Sequence, residues 1–159
     1  TLVIIGPDED VHIRICRDIA SRLGYEKPSI LHSTFMPGID GAKMSKSKGN
    51  AIFLHDDKKA IANKVGRAFS GGQKTLEEHR RHGGDPDVDI SCQYLSKFFL
   101  NEKEGRKLFQ DYKNGSLTSG EVKKMLSENL IKMISEFQER LKKIDKKDLD
   151  KTIMKNEKD

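Results

Sequence analysis

No run of apolar residues in this chain approaches the roughly 20 that a membrane-spanning helix needs. The longest near its start, Leu2–Ile5, is the length of a strand. No basic segment leading into an apolar stretch opens the chain, so a secretory signal is not expected. There is no initiator methionine either: Thr1 leads straight into the apolar strand, and a piece of a longer protein is expected. Cysteine is scarce. Cys16 and Cys92 stand far apart with no motif around either, which argues against a disulfide framework or a zinc cluster and suits a reducing compartment. No Gly-x4-Gly-Lys-Ser/Thr string occurs, which disfavours a P-loop nucleotide enzyme, and no internal repeat is visible.

What is present is polar. Charged and hydrophobic residues each make up 35% of the 159, enough for one domain with a lean core or for two small ones. The net charge of +5 suits an anionic partner such as tRNA or a nucleotide, and suits an ordinary basic domain equally well.

The pattern along the chain divides it. Residues 1–6 read as a buried parallel strand ending in a glycine turn. Val11, Ile15, Ile19 and Leu23 recur every fourth residue, giving a helix face that Gly24 is placed to end. Ser29–Leu31 is a second strand. The first 31 residues thus form one βαβ unit, whose right-handed crossover puts the loops after both strands on one ligand-binding edge. Residues 32–50 are loop-like, with Pro37, Gly38, Gly41 and Gly49, and loops of that length are often functional. Ala51–Leu54 restores a short apolar segment.

From Asp56 on the pattern is helical. Thr75 with Glu78, and Thr118 with Glu121, have capping-box spacing. Asp85-Pro86 reads as an N-cap with proline at the first helical position, before a helix burying Ile90 or Ser91, Tyr94, Leu95, Phe98 and Phe99. Val122, Leu126, Leu130, Ile134, Phe137, Leu141 and Ile144 mark the clearest helix, and the tail after Lys142 reads as a last short helix.

The loop contains Lys43-Met44-Ser45-Lys46-Ser47, a string similar to the mobile ATP-phosphate loop of class I aminoacyl-tRNA synthetases. When an amino acid attacks the α-phosphate of ATP, negative charge builds on the departing pyrophosphate. Lys43 and Lys46 would stabilise that charge more in the transition state than before it, and Ser45 and Ser47 add hydroxyl donors. The neighbouring glycines let the backbone move and approach a nucleotide. A solvated Lys/Ser linker is the plain alternative, set aside because the full string lies between a βαβ unit and a helical region.

Blocks on both sides of the loop narrow the resemblance. Arg17-Asp18-Ile19-Ala20 follows the Gly6-Pro7-Asp8-Glu9 turn, and Leu31-His32-Ser33-Thr34-Phe35 precedes the loop. After it come Ala68-Phe69-Ser70-Gly71-Gly72, Glu77-Glu78-His79-Arg80, Gly83-Gly84, Asp87-Val88-Asp89 and Ser119-Gly120-Glu121-Val122-Lys123. Together they resemble tryptophanyl-tRNA synthetases of the archaeal and eukaryotic type over residues 1 to 142. The resemblance implies an α/β plus all-α chain. Residues 1–54 would be the C-terminal part of a Rossmann-type catalytic domain, and residues 55–159 a helical anticodon-binding domain.

It also implies roles. Gly6, Asp8, His32, Met44, Ser45 and Ser47 would bind ATP, and Lys43 and Lys46 would be catalytic. Glu9 and Ile13 would meet tryptophan, although Glu9 stands where the family has Gln, and Ile13 serves equally as a core residue. His32 is either an ATP neighbour or a structural histidine. Gln73, Lys74 and Lys123 would read the anticodon; the family's pair at 73 and 74 is basic then acidic, and Lys123 could equally be a surface lysine. The implied substrates are L-tryptophan, ATP with Mg2+, and tRNA(Trp), with no tightly bound cofactor; His79 and His82 have no Cys or carboxylate arrangement near them, so no metal site is expected there. The implied whole is a cytoplasmic homodimer. The second class I signature, His-Ile-Gly-His, is absent, so this stretch alone is expected not to form the adenylate. Two rival readings are a tyrosyl enzyme on the same scaffold and a non-catalytic tRNA-binding module.

Overall fold

The computed structural model describes residues 1–34 and 36–145. Strand β1 (Leu2–Ile5) and strand β2 (Ser29–His32) pair in parallel, with Ile5 opposite His32. Between them a 3-10 turn, Pro7–Glu9, leads into helix α1 (Asp10–Arg22). The helix ends where Gly24 takes a positive φ of 75°. There the Tyr25 amide donates to the Ala20 carbonyl (2.9 Å) and the Gly24 amide to that of Ser21 (3.4 Å), a Schellman arrangement that needs glycine. The expected βαβ unit is therefore present.

Its burial differs from expectation. β1 and β2 contain no buried residue; Leu2, Ile4 and Leu31 are exposed. The stripe read as the buried face of α1, Val11, Ile15, Ile19 and Leu23, is exposed as well. The half-buried positions are Asp10, Ile13, Arg17 and Ala20, which also follow helical spacing. Polar contacts decide between the two stripes. The Arg17 guanidinium donates to the Pro28 carbonyl and Asp10 bonds His32, so that face turns toward the ends of β2.

The helical part comprises α2 (Lys58–Gly66), α3 (Leu76–His82), α4 (Ile90–Phe98), α5 (Glu102–Lys113) and α6 (Ser119–Leu141). Both expected capping boxes form, Thr75 with Glu78 and Thr118 with Glu121, and Asn101 with Glu104 adds another. Helix α6 packs on α2 and α4, and α4 packs on α5. The α6 face is the expected one: Val122, Leu126, Leu130 and Ile134 are buried, and Phe137 is half-buried. They meet Ile61 and Val65 of α2, Ile90, Tyr94 and Leu95 of α4, and Leu108 and Tyr112 of α5 in one core. Each such large side chain contributes roughly 1.5–3 kcal/mol on leaving water.

Three details depart from the pattern reading. Helix α4 is capped by Asp89, not Asp85: its carboxylate accepts from the Cys92 amide (3.0 Å), while Asp85 accepts from the Asp87 amide in a turn before the helix. Phe98, expected inside, is exposed and stacks edge-on with Tyr94. Helix α6 stops at Leu141, leaving Leu141 and Ile144 exposed. The short helix expected in the tail falls mostly on residues 146–159, outside the described ones.

By packing the chain divides into Thr1–Met36 and Pro37–Asp159. The loop from Pro37 to Leu54 thus packs with the helices: Tyr94 donates its hydroxyl to the Pro37 carbonyl (2.6 Å), and the Phe69 amide donates to that of Ile39 (2.7 Å). The packing division thus falls after Met36, not after residue 54 where the sequence pattern places the domain boundary.

Candidate functional site

In the first unit, the turn after β1 and the end of β2 lie on one edge, because parallel strands finish on the same side. Gly6 begins the 3-10 turn, followed by Asp8 and Glu9, and His32 is the last residue of β2. A side chain on Gly6 would meet Asp8 Oδ1 at 2.5 Å, so Asp8 folds back over the turn. The Glu9 carboxylate is 3.0 Å from His12 Nδ1, and His32 Nε2 is 2.9 Å from Asp10 Oδ1. Asp10 also accepts from Arg14 Nε at 2.6 Å. Partial burial pushes the Asp10 carboxyl up, but the bonds from His32 and Arg14 outweigh it and hold its pKa below the usual carboxylate value. Sequence reasoning missed Asp10. Ile13 is half-buried on the α1 face that carries Asp10, one turn further along.

In the second unit, Lys43, Met44, Lys46 and Ser47 are exposed and Ser45 is half-buried. The Ser45 and Ser47 hydroxyls are 2.9 Å apart, so the two donors expected on phosphate share one face of the turn. Gly49, with φ 64°, returns the chain, its amide donating to the Lys46 carbonyl (3.1 Å). Pro37 and Lys43 form an isolated antiparallel bridge, and the Gly38 amide donates to the Ala42 carbonyl (2.7 Å). Beneath lies Asn50, 4% exposed. Its side chain bonds Asp40, the Lys43 carbonyl and the Ser45 amide. The Asn50 bond, and next the Ala42 amide, hold the Asp40 carboxyl below its usual pKa. Asn50 was not among the expected residues; the only sequence signal is a polar side chain directly before the apolar Ala51–Phe53.

The expected anticodon residues separate into two places. Gln73 donates from Nε2 to the Gly83 carbonyl (3.0 Å), and with exposed Lys74 it lines a hollow of about 230 Å³, whose walls also include Thr75, Leu76, His79 and Thr118–Gly120. Lys123 lines a different hollow, with Val65 and Gly66. Its ammonium donates to the Gly66 carbonyl (3.0 Å) at the C-terminal end of α2, where a cation is favoured. His79 is buried. Its Nε2 donates to the Leu117 carbonyl (3.0 Å) and its ring meets Tyr112 edge-on. Among the described residues no group of three or more His, Cys, Asp or Glu side chains is arranged to hold a metal.

Behind that hollow is a buried polar knot. Tyr112, fully buried, donates to Asp89 Oδ2 (2.8 Å), and its oxygen lies 2.8 Å from the Ser119 hydroxyl and 3.2 Å from that of Ser70. The Gly71 amide donates to the same Asp89 oxygen (3.0 Å). Burial pushes the Tyr112 phenol well up. Gly71 and Gly72 leave no room for a side chain. A Cβ on the first would fall 1.9 Å from the Asp85 carbonyl oxygen, and one on the second 2.2 Å from the Ser119 hydroxyl. The block Ser70-Gly71-Gly72 is thus read by close packing.

A βαβ unit and a helical unit that carries the Lys43–Ser47 loop are the two parts to compare with known proteins. The model of the class I tRNA synthetases (W and Y) matches residues 1–135, and the chain belongs to that family. Its fold is helix-rich with a small parallel sheet, of the class I synthetase kind. Within the family the similarity is to tryptophan enzymes. The chain is 43% identical over 157 residues to the cytoplasmic tryptophan–tRNA ligase of Saccharomyces cerevisiae, covering 96% of this chain and 36% of that one. It is 47% identical over 147 residues to that of Homo sapiens, covering 90% of this chain and 31% of the relative. The structure of tryptophanyl-tRNA synthetase from Giardia lamblia superposes with a TM-score of 0.85 at 42% identity, covering 98% of this chain and 39% of that one. The chain therefore spans about a third of the length of the curated relatives it matches. No described helix is long and apolar enough to cross a membrane.

Proposed function

We propose that this chain is the loop-bearing and anticodon-side portion of a cytoplasmic tryptophan–tRNA ligase, which activates L-tryptophan with ATP and Mg2+ and passes it to tRNA(Trp). The observation that carries the reading is the Lys43–Ser47 turn. It carries two exposed lysines and the paired Ser45 and Ser47 hydroxyls on a backbone that a buried asparagine secures. Lys43 and Lys46 act on the leaving pyrophosphate, with Ser45 and Ser47 donating to its oxygens and Met44 beside the adenine. Gly6, Asp8 and His32 form the ATP side of the β-strand edge, and Glu9 and Ile13 the tryptophan side. An ionised Glu9 accepts but does not donate, so the amino acid's ammonium is its natural partner.

In this reading the functional boundary lies after residue 54, and residues 55–159 bind the anticodon. Gln73 and Lys74 meet it at their hollow. Lys123 reaches it by giving up its bond to the Gly66 carbonyl. Phosphate contacts there supply salt-dependent affinity, and base contacts supply specificity. The whole enzyme acts as a homodimer, and the present stretch does not form the adenylate alone.

The test is amino-acid-dependent ATP–pyrophosphate exchange by the full-length protein. Tryptophan should support exchange and tyrosine should not. Lys43→Ala or Lys46→Ala should each lower the rate at least several tens of fold, somewhat below the roughly 10²–10³-fold seen when one pre-organised donor is lost elsewhere. Retained exchange in both variants would remove the catalytic reading and leave a tRNA-binding module.

A further inference from the structure

The Lys43–Ser47 string supplies charge and hydroxyls, and four of its five side chains are exposed. One buried side chain outside the string bonds its backbone on both sides of Met44. We infer that Asn50 is a positioning residue for amino-acid activation, one that presets the phosphate loop; the inference rests on the reading of Lys43–Ser47 as the phosphate clamp.

The geometry is specific to a carboxamide. Asn50 Nδ2 donates to Asp40 Oδ1 (2.9 Å) and to the Lys43 carbonyl (3.1 Å), and Oδ1 accepts from the Ser45 amide (2.8 Å). The last two partners bracket Met44. Fixing the carbonyl before it and the amide after it orients both peptide planes, and hence the directions in which Lys43 and Ser45 leave the backbone. Both donor hydrogens and the acceptor of the amide are used, as a buried amide requires. The Asn50 carbonyl also accepts from the Ile39 amide (2.8 Å), which ties the end of the loop to its start. Gly38 makes the close approach possible: a Cβ there would lie 2.6 Å from Asn50 Nδ2 and 2.7 Å from its carbonyl oxygen. Asp40 in turn accepts from the Ala42 amide (3.0 Å), so the segment leading into Lys43 is held by the same group that receives the Asn50 bond.

This arrangement acts before chemistry. A loop already shaped need not be ordered when the transition state forms, so the lysines meet the developing charge without spending stabilisation on placement. Aspartate has the same shape and keeps an acceptor for the Ser45 amide. It replaces both donor hydrogens with a second acceptor facing Asp40 and the Lys43 carbonyl, so it should mis-set the loop while filling the same space. A residue that merely fills the loop would tolerate that exchange.

The experiment uses the full-length enzyme with Asn50→Ala and Asn50→Asp, and Lys43→Ala as reference. Two steps are measured separately: tryptophan-dependent pyrophosphate exchange, and single-turnover transfer of tryptophan to tRNA from adenylate formed beforehand on the enzyme. Exchange kcat should fall between about 10- and 100-fold in both Asn50 variants, the scale for a misplaced reacting group. The KM for tryptophan and the transfer rate should each stay within about twofold. Equal slowing of both steps would overturn the inference in favour of general loosening of the fold. Unimpaired exchange in the Asn50 variants beside a slowed Lys43→Ala would overturn the inference alone. Unimpaired exchange in Lys43→Ala would overturn the clamp reading and the inference together. Should Asn50→Ala fail to fold, the isosteric Asn50→Asp decides by the same outcomes.

Discussion

Asp89→Ala tests whether one buried carboxylate organises the helical unit. Asp89 is fully buried. Oδ1 caps α4 through the Cys92 amide, while Oδ2 accepts from the Gly71 amide and the Tyr112 hydroxyl. The three losses are unequal. Tyr112 keeps Ser119 and Ser70 as neighbours, so its hydroxyl is not stranded. Loss of an N-cap costs about 1 kcal/mol. The Gly71 amide is half-buried and loses its Asp89 partner, and an unmet donor of this kind costs about 1–3 kcal/mol. The sum is about 2–4 kcal/mol. With a urea slope of about 1.5–2 kcal/mol per molar for a unit of this size, the midpoint should fall by roughly 1–2.5 M. Asp89→Asn retains an oxygen for the Cys92 amide and forfeits the acceptor at Gly71, so its loss should be intermediate. Urea unfolding followed by far-UV circular dichroism measures both. A loss below about 0.5 kcal/mol in Asp89→Ala, the level of an ordinary surface change, would refute the reasoning.

Two further perturbations follow from local geometry. Gly83 has φ 69° and its missing Cβ would lie 1.7 Å from the Lys113 carbonyl oxygen; Gly83→Ala combines backbone strain with overpacking and should cost more than about 2 kcal/mol in the same urea assay. Burial pushes the Asp56 carboxyl up, but the Lys64 ammonium (2.6 Å) and the Phe53 amide (2.7 Å) outweigh it, and its pKa lies below the usual value. Its contribution is therefore complete above the unfolded pKa of about 3.9 and is lost as pH falls through the lower folded value. Asp56→Asn should lower stability at pH 6 and flatten the acid limb below about pH 4, which urea midpoints from pH 6 to 3 would show.

Local interactions were legible in the sequence and tertiary choices were not. The Thr75 and Thr118 boxes join groups three residues apart, so spacing suffices to read them, and Asn101 with Glu104 has the same spacing. The α6 stripe was legible because it repeats over four turns against one core. Helix α1 offers two stripes at helical spacing, and apolar content favoured Val11, Ile15 and Ile19. The choice was made by Asp10 and Arg17, whose partners lie beyond the helix, at and before β2. Asp85 and Asp89 are equivalent as local caps. The second is used because its other oxygen meets Gly71 and Tyr112, 18 and 23 residues away. At the site, the charged string could be read, whereas Asn50 could not, because its partners sit five to ten residues back in a loop without periodicity.

The contrast in burial along residues 37–51 bears on the phosphate-clamp role proposed for the loop. Lys43, Met44, Lys46 and Ser47 are exposed, while Gly38, Asn50 and Ala51 are buried. In water a unit charge at 4 Å is worth about 1 kcal/mol, too little to decide a reaction, and the same charge counts several-fold more where water is excluded. A lysine on a free linker would spend that gain on ordering itself. Here the stem is held: Tyr94 and Phe69 bond the backbone at Pro37 and Ile39, and Asn50 bonds it at Lys43 and Ser45. The Tyr94 that bonds Pro37 stands on α4, the helix that Asp89 caps and joins to Gly71 and Tyr112. The Lys43–Ser47 loop is therefore tied to the helical core through hydrogen bonds that side chains of both make. In the proposed role, what the exposed lysines do depends on residues of the helical unit as much as on the string that carries them.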